Sequence, residues 1–182
     1  MPVLGFRRVA DAPSSIVNDF AIRLAQPADG LVLARMLELY QHDLSDIWDQ
    51  DLDAEGNYGY ALDAYWQAAG HHPFMAMANG HHAGFALVNR AVRSGSEGWW
   101  MDQFFILKKY RRQGLGGQLA RSVWTALPGR WEVGQMPLNH AAQAFWRRLV
   151  ADYTAGRFEE RELCTGSWQG VIQIFDSPRT GS

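Results

Sequence analysis

The chain predicts a mixed α+β domain, and three observations carry that prediction. Its periodic segments follow the order β-αα-βββ-α-β-α-ββ. The dipeptide Asn79-Gly80 separates two strand-like runs, a strong two-residue hairpin signal. A basic, glycine-rich turn joins an apolar strand to an amphipathic helix. At 182 residues the chain holds one domain with a proper core and is too short for two comfortable ones. The expected division is an N-terminal extension over 1–20, a single domain over 21–176 and a frayed tail over 177–182.

Ala21 to Ala25 reads as the first strand. Pro27 sits where the first turn of a helix tolerates proline, and Leu33, Leu37, Tyr40, Leu44 and Ile47 then mark a helical face. An acidic segment leads to a second helix over Tyr58 to Ala69, stopped by Gly70. Phe74 to Ala78 and Ala83 to Val92 form the hairpin around Asn79-Gly80. The apolar run Trp99 to Leu107 is the fourth strand. Leu115, Leu119, Val123 and Leu127 recur at helical spacing, and Pro128-Gly129 ends that helix. Arg130 to Gln135 is a short strand, and Asn139 opens another helix as its N-cap. Tyr153 to Cys164 and Trp168 to Phe175 form a closing antiparallel pair.

The turn Arg111-Arg112-Gln113-Gly114-Leu115-Gly116-Gly117-Gln118 is the strongest functional signal. Glycines let a backbone approach an anion closely, the helix that follows adds the positive end of its dipole, and arginines add full charge. A nucleotide-triphosphate loop is excluded, because Gly116 is followed by Gly117-Gln118 rather than Lys-Ser/Thr. A dinucleotide fingerprint is excluded as well, because position 119 is Leu119 where the third glycine belongs.

The spacing Arg111-x-x-Gly114-x-Gly116 resembles the pyrophosphate loop of the GNAT acetyltransferase superfamily, whose members bind acetyl-coenzyme A. The flanks are similar too. Ile106 and Tyr110-Arg111 match the end of the family's fourth strand, and Asn139, Ala142 and Trp146 match its second motif. The resemblance covers Ala21 to Phe175. It implies the GNAT acyl-CoA acyltransferase fold, with a central mixed, mostly antiparallel sheet flanked by helices. It also implies acetyl-CoA as co-substrate, held by Phe105, Ile106, Leu107, Arg111, Arg112, Gln113, Gly114, Gly116, Gly117, Gln118, Asn139 and Trp146. Backbone N–H groups around Phe105 to Leu107 would hold the thioester oxygen.

In such enzymes an amine attacks the thioester directly, with both substrates bound. An unperturbed amine of pKa ~10.4 is cationic at neutral pH, so a base must take its proton. Glu132 and Asp102 are the candidate bases. Many relatives carry a tyrosine seven residues after the motif asparagine to serve the leaving thiolate, but here that residue is Trp146. Indole N–H donates a hydrogen bond and is too weak an acid to deliver a proton. Tyr153, expected just past the helix, is the candidate replacement.

Charge is divided along the chain. From Met36 to Asn89 there are eight acids and no Lys or Arg, whereas Arg90 to Arg148 carries ten basic residues against three acids. The basic half holds the cofactor loop. The acidic half fits a cationic amine acceptor, a small molecule or a peptide, with His42, Asp43 and Asp46 as candidate substrate-side groups. A formal net charge of −2 gives no general attraction to nucleic acid or membrane, and no run approaches the ~18 apolar residues of a membrane helix. Cys164, the only cysteine, agrees with a reducing cytoplasm. His71-His72 and His81-His82 lack a cysteine or well-spaced carboxylate partner, so no metal site is expected. Family analogy allows a homodimer. Two other functions share this sequence pattern: a non-catalytic coenzyme A-binding module, and transfer of a longer acyl chain through a wider tunnel shaped by the excess aromatics, eight Trp, six Tyr and nine Phe.

Overall fold

The computed structural model describes residues 17, 19–95, 97–165 and 168–178. Most of the expected N-terminal extension and of the C-terminal tail lies outside them. Seven strands form one sheet in the order β1-β2-β3-β4-β5-β7-β6. They are β1 (Phe20–Leu24), β2 (His72–Ala78), β3 (His81–Asn89), β4 (Trp99–Ile106), β5 (Gly129–Gln135), β6 (Glu159–Thr165) and β7 (Trp168–Ser177). The helices are α1 (Gly30–Trp48), α2 (Asp63–Gln67), α3 (Leu115–Ala126) and α4 (His140–Thr154). Every strand pair is antiparallel except β4 with β5. Among the described residues no helix is long and apolar enough to cross a membrane.

The β2–β3 turn follows from its residues. Asn79 and Gly80 both hold positive φ, 50° and 75°, as a two-residue turn matched to strand twist requires. Strand alternation then sorts side chains to two faces. Trp99, Met101, Trp131 and Val133 pack with Leu119, Val123, Trp124 and Val150 of α3 and α4. On the other face Met75, Phe85, Leu87 and Phe105 pack with Leu33, Met36 and Leu37 of α1 and Tyr65 of α2.

Strand ends shift by one to three residues, with β3 ending at Asn89 rather than Val92, and three boundaries move for identifiable reasons. The second helix spans only Asp63–Gln67, because the Glu38 carboxylate accepts the Tyr58 and Gly59 N–H groups at 2.7 and 3.1 Å. Those bonds, with Gly59 at φ 76°, hold the segment ahead of α2 as a loop. Tyr153 belongs to α4 rather than to a strand; that helix ends in Ala155 and Gly156, both left-handed, and β6 begins only at Glu159. Ser177 is the last residue of β7, paired with Gly129, so the ordered strand runs one residue into the expected tail.

Candidate functional site

The glycine-rich turn leads directly into α3. Gly114 holds φ 80°, a left-handed conformation that most side chains would strain. The first helical bond runs from Gln118 N–H to Gly114 C=O at 3.1 Å. The N–H groups of Leu115, Gly116 and Gly117 therefore have no helical acceptor and head the positive end of a helix twelve residues long. Gly116 and Gly117 also lie close under α4: a Cβ would stand 3.2 Å from Phe145 at Gly116 and 3.5 Å from Leu149 at Gly117.

The two arginines of this turn differ. Arg112 is exposed and makes no ion pair among the described residues. Arg111 is engaged already, its Nε donating to Ile106 C=O at 2.6 Å and its Nη2 bonded to Asp43. Gln113 is also engaged, accepting from Val17 N–H at 3.3 Å and donating to Lys109 C=O at 3.2 Å. A diphosphate fits the helix start and Arg112, with Arg111 bracing the turn from behind. Gln118, one turn into α3, is exposed.

Where β4 meets β5 the sheet opens. Only Trp99, Trp100 and Met101 pair with β5, opposite Trp131, Glu132 and Val133. On the other edge of β4, Met101 pairs with Val88 and Gln103 with Leu87, so Asp102 is an extra residue, a β-bulge that bends the strand away. Antiparallel strands turn successive residues to alternate edges. Leu107 N–H is bonded to Ala83 C=O at 2.9 Å, and Phe105 shares that phase opposite Phe85, so both donate toward β3. Phe104 and Ile106 turn toward the gap. Of the three expected oxyanion donors, this alternation leaves Ile106 and adds Phe104; the Phe105 and Leu107 side chains pack in the core.

A cleft of 190 Å³ occupies the gap and reaches both faces of the sheet. Gln135, Asn139, Ala142 and Trp146 line it on the α4 side. Tyr40, Leu44 and Trp48 of α1, with Arg93, Trp100, Asp102, Gln103 and Trp168, line it on the other. Gly134 is required here, since a Cβ would fall 2.3 Å from the Trp100 ring and 2.7 Å from that of Trp168. Asp102 Oδ2 accepts the hydroxyls of Tyr60 at 2.5 Å and Tyr65 at 2.8 Å. Burial first, then the Asp102 charge, pushes the phenols of Tyr40, Tyr60 and Tyr65 well above their usual range, so the hydroxyls stay protonated.

Several expected site residues stand elsewhere. Glu132 is fully buried and accepts the N–H of Arg93 at 2.6 Å, the N–H of Ser94 at 3.2 Å and the Ser94 hydroxyl. It does not line the cleft; it anchors the β3–β4 loop. Tyr153 Oη is bonded to Ser177 Oγ at 2.7 Å, and Ser177 pairs with Gly129, the opposite end of β5 from the cleft. The substrate-side group also disperses. Asp43 is paired with Arg111 and with Lys108 Nζ at 3.0 Å. His42 Nδ1 faces Tyr58 Oη at 3.1 Å. Asp46 lines a separate shallow recess with Asp49, Asp51 and Tyr58. The cleft-facing row of α1 is Tyr40, Leu44 and Trp48, spaced four residues apart.

Asn139 accepts Ala142 N–H at 3.1 Å, the N-cap of α4, and lines the cleft as well. Trp146 is buried against Phe104, Phe145 and Trp124 with one edge in the cleft. His71 and His72 pack edge-on against Tyr65 and Trp99. Among the described residues no three His, Cys, Asp or Glu side chains are placed to hold a metal.

One cleft residue acquires its role through a relay. Arg147 is bonded to Glu160, and the Glu160 carboxylate accepts Gln173 Nε2 at 2.9 Å. Gln173 must then turn its Oε1 to Gln135 Nε2, at 2.8 Å, so Gln135 keeps an unpartnered acceptor oxygen. The sequence signals Gln135 only by its alternation with Trp131 and Val133. Arg93 and Gln103 of the cleft, and the Tyr60 and Tyr65 that hold Asp102, carry no local signal, because a bulge, two loops and α2 bring them together.

Solved structures share the fold. An acetyltransferase from Thermus thermophilus superposes with a TM-score of 0.62 at 14% identity, covering 88% of this chain and 98% of that one. The aminoglycoside acetyltransferase AAC(6')-Ib, solved in complex with coenzyme A, gives 0.60 at 18% identity over 87% and 95%. The ribosomal-protein-alanine N-acetyltransferase of Escherichia coli gives 0.58 at 17% identity over 90% and 97%. No curated protein matches in sequence. Residues 33–150 match the Acetyltransferase (GNAT) family. With that match spanning most of the domain, and with the glycine-rich helix start and the opened β4–β5 edge in place, the chain belongs to the GNAT acetyltransferase family, enzymes whose co-substrate is acetyl-CoA.

Proposed function

We propose that this protein transfers the acetyl group of acetyl-CoA to the primary amine of a small molecule, by direct attack with both substrates bound. The observation that carries the proposal is the opening at Asp102. It joins the α3–α4 side of the sheet, where the anion-binding helix start lies, to a side lined by a carboxylate and aromatic rings.

The N–H groups of Leu115, Gly116 and Gly117, with Arg112, hold the diphosphate. Ile106 and Phe104 N–H face the gap and stabilise charge on the thioester oxygen; one such donor is worth about 2.7–4 kcal/mol of barrier. Asp102, fixed by Tyr60 and Tyr65, takes the amine proton. Tyr40, Trp48, Trp100 and Trp168 line the cleft and exclude water, and aromatic walls of this kind tolerate a cation. Trp146 donates its indole N–H to the leaving sulfur. A thiolate of pKa ~8.5 departs without a formal acid.

The cleft, at 190 Å³, is smaller than the ~300–1,000 Å³ typical of drug-sized ligands, which favours acetyl over a longer acyl chain. A single exposed thiol, Cys164, supports a cytoplasmic setting.

The test is release of coenzyme A thiol by Asp102→Asn across pH. Asparagine keeps an acceptor for both tyrosines and cannot take a proton. Turnover should fall about 10²- to 10⁴-fold near pH 7 and recover as pH rises toward the amine's own pKa. A loss that stays constant across pH would remove the base role from Asp102.

A further inference from the structure

Among the described residues, Arg93 is the one cationic side chain lining the cleft. We infer that it binds an anionic group on the acceptor, and that the acceptor is a small amino acid carrying its amine and its carboxylate together. The inference rests on the amine-acetyltransferase reading.

Among the described arginines, Arg93 alone lines the cleft and alone has a buried nitrogen with no partner. Arg23, Arg111, Arg147 and Arg161 each meet a carboxylate within the protein. Arg93 makes no salt bridge among the described residues, although it is half-buried and its Nε is buried without a partner. Its guanidinium lies 5.1 Å from the centre of the Trp100 ring, held against one wall. A guanidinium withdrawn from water in this way is stabilised by an incoming carboxylate, which its planar fork matches in geometry.

The loop that carries Arg93 is fixed by Glu132, whose carboxylate accepts the Arg93 and Ser94 N–H groups and the Ser94 hydroxyl. Glu132 is thus spent on backbone and hydroxyl donors and leaves the guanidinium unmatched. The nearest acid in the cleft, Asp102, is held by Tyr60 and Tyr65 rather than by Arg93.

The anion is not the coenzyme's. Arg93 and Trp100 lie on the α1 side of the sheet, where Trp100 packs with Ile172, Ile174, Val92 and Trp168. The diphosphate site at the start of α3 lies on the other side, against Phe145 of α4. The acceptor half of the cleft therefore offers one fixed carboxylate and one fixed guanidinium, the complement of a zwitterion. A polycation would place a like charge beside Arg93.

The experiment compares amino acids with their decarboxylated amines: lysine with cadaverine, phenylalanine with phenethylamine, histidine with histamine. Thiol release gives kcat/KM for each member, and the readout is the ratio within each pair. Wild type should favour the carboxylate-bearing member of at least one pair by about ten- to a hundredfold, the range of one charge-assisted contact. Arg93→Gln should lower that ratio by about ten- to a hundredfold through KM, and Arg93→Lys should retain part of it. Comparing ratios between wild type and variant cancels the different basicities within a pair. Acetyl-CoA binding by each variant verifies its fold.

Equal use of both members by wild type, or an equal loss for both in Arg93→Gln, would overturn the inference and leave the amine reading standing. No turnover of any member by wild type that binds acetyl-CoA would overturn the amine reading, and this inference with it.

Discussion

The carboxylate of Asp43 is bonded to the guanidinium of Arg111, so the first arginine of the glycine-rich turn is tied to α1, a helix that lines the cleft. Lys108 joins the same carboxylate at 3.0 Å. The bridge ties the turn to a helix on the far face of the sheet and leaves Arg112 as the exposed arginine of the turn without an ion pair among the described residues.

The Asp43 bridge makes a pH-dependent contribution to stability. Burial pushes this carboxyl up, but hydrogen bonds from Arg111 and Lys108 outweigh it and hold the group below its ordinary value of 3.8. A depressed folded-state pKa means stability that is present above the ordinary value and lost as pH falls below it. Asp43→Asn should cost about 0.5–1 kcal/mol at neutral pH, since the cations are largely exposed. The gap to wild type should close below about pH 4 in thermal melts. A gap that stays constant down to pH 3 would assign the loss to packing instead.

How much of this is legible in the sequence depends on how local each feature is. The hairpin at Asn79-Gly80, the turn into α3 and the Asn139 cap are set by neighbours a few residues apart, and the pattern reads them correctly. The cleft is assembled over long separations. Asp102 is visible as an acid on a strand, but the bulge that turns it toward Tyr60 and Tyr65 depends on pairing with Leu87 and Val88. The acidic run from Met36 to Asn89 suggests an acceptor wall, yet its acids turn to Arg111, to loop N–H groups or to solvent. The ring-bearing face of α1 reaches the cleft instead.

Glu132 illustrates the same limit and supplies a second prediction. Its neighbours in sequence give it the look of a strand carboxylate free for proton transfer, while the structure commits it to Arg93 and Ser94. Glu132→Gln replaces an acceptor oxygen with a donor facing donors, which should cost about 2–3 kcal/mol in denaturant unfolding. KM for the acceptor should rise because the Arg93 loop loses its anchor. The pH dependence of kcat should keep its wild-type shape. A shifted profile in a stable variant would return Glu132 to the role of base.

Tyr153 gives the opposite kind of prediction. Its hydroxyl serves Ser177 at the far end of β5, and its ring packs on Trp124 and Phe175. Tyr153→Phe should lower stability by about 1 kcal/mol and leave kcat at the wild-type level. A tenfold loss of kcat in the folded variant would restore the tyrosine to the reaction.

The most direct test of the account is acetyl-CoA titration by calorimetry, with Gly114→Asn and Gly114→Asp beside wild type. Asparagine tolerates the left-handed backbone at position 114 without adding charge, whereas aspartate sets a negative charge at the helix start. One saturable site is expected in wild type, with modest weakening in Gly114→Asn and about a fivefold or greater further loss in Gly114→Asp, the effect of one negative charge beside the diphosphate at an exposed helix start. Equal binding by the two folded variants, or no binding by wild type, would remove the anion-binding role from the start of α3.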